Sequence, residues 1–431
     1  MNIRLIGLAT VAFVASVSVG SAQEPSQQSD RASSVIRQAD LYTIKILRVV
    51  DYPFGRENKG TATGSGFLVN KEKGWFVTNA HVVGKSPSNL WAHFKDQGYR
   101  KAKKVFVDNH ADLAVISMDP KGIPAGAKAA ELDCRLDVPA GAAVIAYGHP
   151  WSLDFTATRG IISGTKTLRG EEKLQTDSAI NPGNSGGPLI DQGSGKIVGV
   201  NASMIRGRDA VGLNFAIPSH IACNILALLE KGIDPAPPVL PAAFATTSRS
   251  GELVVASVKG VWEASLRPGD RVLAVNGDLK ARYLSRLLNH LRGSEEASLE
   301  IQRGTQKINV TLPVPQQKDH VVRKGITVSG MLLGYGTSTE SSKAKVWVQY
   351  VNPASIAQRA RIPLGSEVLA LNGIAASNLE DLLAILKEND RKRIEIITRR
   401  PRFNLLSGDY TYTARKFRVV GPRLVDEKGL Q

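Results

Sequence analysis

The 431-residue chain is short of the residues that staple small exported proteins together: it has two cysteines, four methionines and only 6% aromatic residues. Cys134 and Cys223 cannot form a disulfide framework, so stability has to come from apolar cores. A single bridge between them is open. Composition alone reads them as two small buried side chains. No His or Cys spacing suits a metal ion, so neither metal nor cofactor is expected. After the first two dozen residues, no apolar run is long enough to cross a bilayer as a helix. Acidic residues are also scarce: 39 Asp and Glu stand against 55 Lys and Arg, giving a formal charge of +16. From residue 235 onward, 29 basic residues face 18 acidic ones, so most of the excess lies there. Such an excess implies attraction to anionic envelope surfaces or acidic clients, or simply a solvated basic face. A nucleic-acid partner is not expected, because no nucleic-acid motif accompanies the charge.

The N-terminus has the three parts of an export signal. Met1 to Arg4 is positively charged, Leu5 to Gly20 is apolar and small, and Gly20-Ser21-Ala22 offers small residues for cleavage after Ala22. The alternative is a retained anchor, for which the run is short and rich in small residues. These features predict an exported, periplasmic protein with residues 1–22 removed and residues 23–40 forming a flexible polar segment.

From Leu41 the pattern changes to short β-type runs between Gly, Pro and Asn. They include Gly66-Phe67-Leu68-Val69, Trp75-Phe76-Val77-Thr78, Leu113-Ala114-Val115-Ile116, Ala143-Val144-Ile145-Ala146 and Lys196-Ile197-Val198-Gly199-Val200. Many short strands at this spacing predict a barrel or sandwich over residues 41–232. A closing helix is expected with Ser219 as its cap and Ile221, Ile225, Leu228 and Leu229 as its apolar face. Pro235, Pro237, Pro238 and Pro241 then mark residues 233–246 as a semi-rigid linker. Beyond it lies a repeat. Val272-Leu273-Ala274-Val275-Asn276-Gly277 matches Val368-Leu369-Ala370-Leu371-Asn372-Gly373. Each copy leads into a helical stretch, Tyr283 to Leu291 and Asn378 to Leu386, and then a strand, Ala297 to Gln302 and Arg393 to Thr398. The repeat predicts two related small α+β modules, residues 247–315 and 320–421. Fold class is therefore mainly β, with two α+β modules appended.

Three segments together suggest acyl transfer. Ser185 sits in Asn181-Pro182-Gly183-Asn184-Ser185-Gly186-Gly187-Pro188, a turn whose glycines permit close substrate approach and aim N–H groups into one pocket. No P-loop lysine follows, which argues against a nucleotide. His81, in Thr78-Asn79-Ala80-His81-Val82-Val83, follows a strand directly and is the candidate base. Asp112, in Ala111-Asp112-Leu113-Ala114-Val115, opens an apolar strand, where a carboxylate needs a partner such as an imidazole N–H.

In these three motifs, in the order His, Asp, Ser, the chain resembles the trypsin-like peptidases and specifically the HtrA (DegP-like) family. Gln175-Thr176-Asp177 and Asn214-Phe215-Ala216-Ile217-Pro218 add to the match, which covers roughly residues 40 to 420. The resemblance implies a trypsin-like double β-barrel with the triad in its cleft. It also implies two C-terminal PDZ-like domains and oligomers built from trimers. It makes Ser185 the nucleophile, His81 the base, Asp112 its orienter, and the N–H groups of Gly183 and Ser185 the oxyanion hole. Substrate-binding residues would be Ala179 and Ile180 at the pocket before the cut, with Asn201, Ala202 and Ser203 pairing with substrate backbone. No carboxylate lies at that pocket, so small or medium aliphatic residues are expected there rather than Lys or Arg.

Two departures stand out. Ser250-Gly251-Glu252-Leu253 does not offer the apolar-Gly-apolar loop that captures a C-terminal carboxylate. Met331-Leu332-Leu333-Gly334 is a candidate version of it in the second module. Tyr52 to Gly60 is too short for the regulatory loop some relatives insert there. The expected activity is endopeptidase action on unfolded or misfolded envelope proteins, with C-terminal peptides as ligands of the modules. The alternative is a chaperone or scaffold that binds clients with little hydrolysis.

Overall fold

A computed structural model describes residues 25–53, 57–149, 155–168, 171–204, 213–246, 253–278, 284–315, 325–335, 345–375, 378–389, 392–403 and 410–419. The expected signal segment lies outside them. Helix α1 (Pro25–Ala39) occupies the stretch expected to be flexible. Its polar composition hides a helical stripe. Ala32, Val35 and Ala39 are buried in the core of the barrels, with Ile36 beside them. That 3–4 spacing gives the helix a face to dock.

Six strands close the first barrel. They are β1 (Thr43–Val50), β2 (Gly60–Asn70), β3 (Trp75–Thr78), β4 (Asn89–Phe94), β5 (Arg100–Asp108) and β6 (Leu113–Met118), in the order β1-β2-β3-β6-β5-β4. A short helix, α2 (Ala80–Val83), follows β3. The second barrel comprises β7 (Ala143–Gly148), β8 (Thr156–Leu168), β9 (Glu171–Thr176), β10 (Pro188–Asp191), β11 (Ile197–Met204) and β12 (Asn214–Pro218), ordered β10-β11-β12-β9-β8-β7. The short apolar runs of the sequence supply the core, with side chains such as Phe67, Phe76, Ile116 and Ile145 fully buried.

Helix α3 (Ser219–Glu230) closes this unit, but its N-cap position is Pro218 and no side chain caps it. Ser219 Oγ donates instead to the carbonyl of Asp133. Ile221 and Ile225 are buried as expected, whereas Leu228 and Leu229 are half-buried. Cys223 of α3 and Cys134 form a disulfide, with Cα atoms 5.9 Å apart. The reading of two small free side chains is thereby corrected. The fold brings together residues 89 positions apart, a proximity that spacing alone cannot reveal.

The proline stretch is no free spacer. Pro235, Ala236 and Pro238 are buried, and Ala242–Thr246 forms the first strand of the next sheet. That sheet runs β13 (Ala242–Thr246), β14 (Leu253–Val258), β15 (Arg271–Val275), β16 (Glu296–Arg303), β17 (Gln306–Pro313), with α4 (Leu284–His290). The second module orders β18 (Gly325–Val328), β19 (Met331–Tyr335), β20 (Val346–Val351), β21 (Glu367–Leu371), β23 (Ile394–Phe403) and β24 (Tyr410–Val419), with the short β22 (Ile374–Ala375) on β21. Helices α5 (Ile356–Arg359) and α6 (Leu379–Glu388) complete it. The two Asn-Gly turns match in detail. Asn276 and Asn372 have φ of 46° and 49°, and each is followed by a glycine with positive φ. Each Asn Oδ1 accepts a backbone N–H from the neighbouring strand, Ser298 at 2.9 Å and Glu395 at 2.8 Å.

Helix α4 is buried on two sides. Leu287 packs into its own module, while Ser285, Arg286 and Asn289 face the barrels. Arg286 holds Glu172 of β9 through two nitrogens, at 2.7 and 3.1 Å. Arg292 pairs with Asp108 at the end of β5, both side chains almost fully buried. Ser285 Oγ accepts the N–H of Glu172 at 2.9 Å, and Asn224 Nδ2 donates to the Asn289 carbonyl at 2.6 Å.

His220 of α3 lies in this interface, 3.9 Å from Glu172 Oε2, with neither ring nitrogen hydrogen-bonded. Burial, with the Arg286 and His290 charges, pushes its pKa down to about 4, and Asp137 and Asp278 oppose the shift only weakly.

Two predictions follow from this packing. Replacing Cys134 and Cys223 together by Ser should lower stability by about 2–4 kcal/mol, read by denaturant unfolding. An unchanged unfolding midpoint would refute that. A His220 that is neutral when folded binds its proton first in the unfolded chain. Stability should then fall as pH drops from about 6.5 to about 4, by up to about 3 kcal/mol. Glu172 acts in the opposite sense, because burial raises its pKa and favours the folded form as pH falls. The contribution of His220 is therefore read as the difference between the pH profiles of the wild type and His220→Leu. Superimposable profiles would exclude it.

Candidate active site

The register of β3 against β6 assembles the first pair. Thr78 lies opposite Ala114, so the residues just after β3 and just before β6 meet at one end of the barrel. His81 is on α2 at that end, and Val82 and Val83 bury the opposite face of the turn. Asp112 has φ of 57°, a left-handed conformation that costs energy outside glycine. Two clamps hold it there. Asn79 Nδ2 and Ala80 N donate to the Asp112 carbonyl at 3.0 and 3.1 Å. The carboxylate takes His81 Nδ1 at 2.8 Å through Oδ2, and the His81 backbone N–H at 3.0 Å through Oδ1. With Nδ1 donating to the carboxylate, Nε2 is the ring nitrogen left to accept a proton. The His81 side chain is 49% exposed, so that edge faces the cleft.

The turn carrying Ser185 lies between β9 and β10 and is stitched to the first barrel by Ser65. Ser65 N donates to the Ser185 carbonyl at 2.8 Å, and Ser65 Oγ donates to the Gly183 carbonyl at 2.7 Å. Thr78 Oγ1 holds the Ser65 carbonyl at 2.7 Å. The barrels meet so closely that a Cβ on Gly186 would lie 2.2 Å from both the Ser65 carbonyl oxygen and Thr78 Oγ1. Gly186, with φ of 83°, is required there on two counts. Ser65 was not singled out in the sequence. Its signal is the run Gly64-Ser65-Gly66-Phe67, whose small residues flank one hydroxyl.

Ser185 Oγ does not point to His81. It donates to the Ala202 carbonyl at 3.1 Å. That carbonyl is available because β11 bulges between Asn201 and Ser203, which pair with Ala216 and Phe215 and leave Ala202 unpaired. Asn201 is fully buried and braces the turn. Its backbone N–H donates to Gly187, its carbonyl accepts from Gly186, and its side chain reaches the Pro188 carbonyl at 3.1 Å. Ser203 lies on β11 beside them. Ala179 is exposed, with its carbonyl held by Thr158 Oγ1 at 2.8 Å. Ile180 is 2% exposed and packs with Leu174, Leu189 and Ala216 in the core of the second barrel. Its side chain is enclosed in that core and not offered to a ligand, against the contact role expected of it. Both Asn184 side-chain heteroatoms are buried without a hydrogen-bond partner.

The candidate carboxylate loop of the second module is also corrected. Met331 to Gly334 lies within β19, paired on one side with β18 and on the other with β20, and Met331, Leu332 and Leu333 are fully buried. A strand with both edges used has no N–H groups left for a peptide carboxylate. In the first module, Ser250, Gly251 and Glu252 lie outside the described residues.

Among the described residues no group of His, Cys, Asp or Glu is placed to hold a metal, and no helix is long and apolar enough to cross a membrane.

Residues 64–200 match the family model of the trypsin-like peptidase domain. Curated relatives named probable periplasmic serine endoprotease DegP-like include one from Halomonas elongata, 30% identical over 365 residues, covering 78% of this chain and 75% of that protein. One from Chlamydia pneumoniae is 30% identical over 371 residues, covering 78% and 74%. Against the Pseudomonas putida relative the identity is 30% over 295 residues, and the match spans 60% of its length and 64% of this chain. Among solved structures, an HtrA-type protease, AlgW with tripeptide, superposes with a TM-score of 0.54 at 25% identity, covering 67% of this chain and 98% of that one. The chain belongs to the HtrA (DegP-like) family of trypsin-like serine proteases.

Proposed function

We propose that the chain is an exported serine endopeptidase acting on unfolded or misfolded proteins of the periplasm. The observation that carries this reading is the Asp112–His81 pair, with Nδ1 committed and Nε2 free, set beside a serine turn stitched to the same barrel by Ser65. In the proposed reaction a substrate strand lies along β11 and takes the Ala202 carbonyl with its own N–H. Ser185 Oγ, released from that carbonyl, rotates toward His81 and attacks the scissile carbonyl while Nε2 takes its proton. The N–H groups of Gly183 and Ser185 receive the oxyanion. His81 then protonates the leaving amine, and water hydrolyses the acyl enzyme by the same route. Ala179, small and uncharged, favours small or medium aliphatic residues before the cut. Periplasmic location follows from the signal-like N-terminus and from the named location of the relatives. Trimer-based assembly is the family expectation, and sedimentation or light scattering tests it directly. The appended modules are read as PDZ-like domains.

The hydroxyl of Ser185, turned onto Ala202, also favours a second reading. In it the chain rests as a client-binding protein and hydrolyses only when a substrate displaces that bond.

Ser185→Ala should abolish fluorophosphonate labelling and casein cleavage. His81→Ala and Asp112→Asn should each lower kcat/KM about 10⁴-fold with folding intact. Wild-type protein that neither labels nor cleaves, across temperature and with added peptides, would leave only the client-binding reading. In a peptide library, Val and Ala should dominate the position before the cut; dominance of Lys or Arg there would refute the pocket assignment.

A further inference from the structure

Beside His81, on the side of the first barrel, opens a cleft of about 610 Å³ in whose lining the proposed reaction uses only His81 and Asp112. One wall is the end of β1 and start of β2, with Arg48 and Lys59; the other is the segment after α2, with Gly84 and Lys85; His81 and Asp112 form its inner end.

The charges of this cleft do not cancel. Glu57 is spent on structure: it accepts Lys85 N at 2.7 Å and Ser86 N at 3.0 Å. Burial pushes its carboxyl up, but hydrogen bonds from Ser86 and Lys85 and the Arg48 charge outweigh this and leave it below its ordinary value. Asp112 is committed to His81. Arg48 lies over Gly84, where any Cβ would strike its guanidinium. Its Nη1 is 3.7 Å from Glu57, and its Nε and Nη1 are buried without a hydrogen-bond partner. Lys104 lies beneath, donating to the carbonyls of Gly84 and Ser86, and burial lowers its pKa to about 8. Lys59 and Lys85 are exposed at the rim. Lys59 Nζ reaches only a neutral group, Asn352 Oδ1, at 3.4 Å. Among the described residues, three basic side chains therefore line the cleft, with Lys104 beneath it, against two carboxylates that already have partners.

The position of the cleft assigns it to one half of the substrate. The residues before the cut belong to the second barrel, at Ala179 and β11. His81, which hands its proton to the leaving amine, is carried by the first barrel. The chain that departs with that amine therefore runs toward Arg48, Lys59 and Lys85.

We infer that this cleft is a subsite for acidic side chains, Asp or Glu, in the first few residues after the cut. The inference rests on the endopeptidase reading for its direction along the substrate. Arg48 contributes its charge from the wall, since its Nε and Nη1 are buried, and the exposed ammonium groups of Lys59 and Lys85 are the donors an entering carboxylate meets first. Lys59 and Lys85 attract it from solvent.

The test uses three peptides identical through a Val before the cut and carrying Glu, Gln or Lys at the second and third positions after it. Wild-type protein should cleave the Glu peptide at least about fivefold better in kcat/KM than the Lys peptide at low salt, with Gln between. The ratio should shrink at high ionic strength. In Lys59→Glu/Lys85→Glu the order of Glu and Lys should invert. Equal rates for the three peptides in the wild type, or an unchanged ratio in the double variant, would overturn the inference. Binding of the same peptides to Ser185→Ala, read by fluorescence anisotropy, separates this from failure of hydrolysis. Preference for Glu there sustains the subsite even if no peptide is cleaved; equal binding by an uncleaving enzyme removes it.

Discussion

Everything at the candidate site depends on how closely the two barrels approach at Ser65. That residue is fully buried and uses its N–H, hydroxyl and carbonyl at once, on Ser185, Gly183 and Thr78. The hydroxyl also accepts the backbone N–H of His149 at 3.1 Å. Buried backbone and hydroxyl groups have to be paired, and here each pairing crosses or borders the seam. The turn carrying Ser185 therefore cannot drift from the barrel that carries His81 without leaving several buried groups unsatisfied. Glycine at 186 is what makes the approach sterically possible. The short turn and the deep seam are thus one constraint seen from two sides.

The same logic governs Asp112. Asp112 occupies an unfavourable backbone region, and the fold keeps it there by giving its carbonyl two donors and its carboxylate two more. Asn79 supplies one of them from a fully buried position. The residues Thr78-Asn79-Ala80-His81 then form one device: Thr78 fixes the seam, Asn79 and Ala80 fix the acid's backbone, and His81 uses its carboxylate.

Much of this was legible in the sequence, because barrels and catalytic turns are written in local pattern. Short apolar runs between Gly, Pro and Asn gave the strands, Asn-Gly gave both module turns, and the fold brings the expected pair His81 and Asp112 into contact, with Ser185 on a turn held to the same barrel. What escaped depends on long-range contact. The helical stripe of Ala32, Val35 and Ala39 was masked by polar neighbours that face solvent. The partnership of Cys134 and Cys223 exists only after α3 folds back on the connection between the barrels. Ile180, next to Ala179 in sequence, faces the opposite way into the core, since neighbouring residues of an extended chain alternate in direction. Met331 to Gly334 has the composition of a ligand loop, but its side chains fill the centre of a sheet.

The first module is tied to the site through Asp108. One carboxylate oxygen accepts the N–H groups of His110 and Ala111 at 2.8 and 3.0 Å, shaping the turn that delivers Asp112; the other pairs with Arg292 of the module. A buried carboxylate without its counter-charge is strongly unfavourable, so the ion pair is retained only while the module stays docked. Arg292 is itself fixed from the barrel side by the carbonyl of Pro235 at 2.5 Å. The segment that looked like a spacer is accordingly a strut. It holds in register a cation whose partner lies four residues from Asp112. Through that short path, the position of the first module and the backbone geometry of Asp112 become parts of one packed structure.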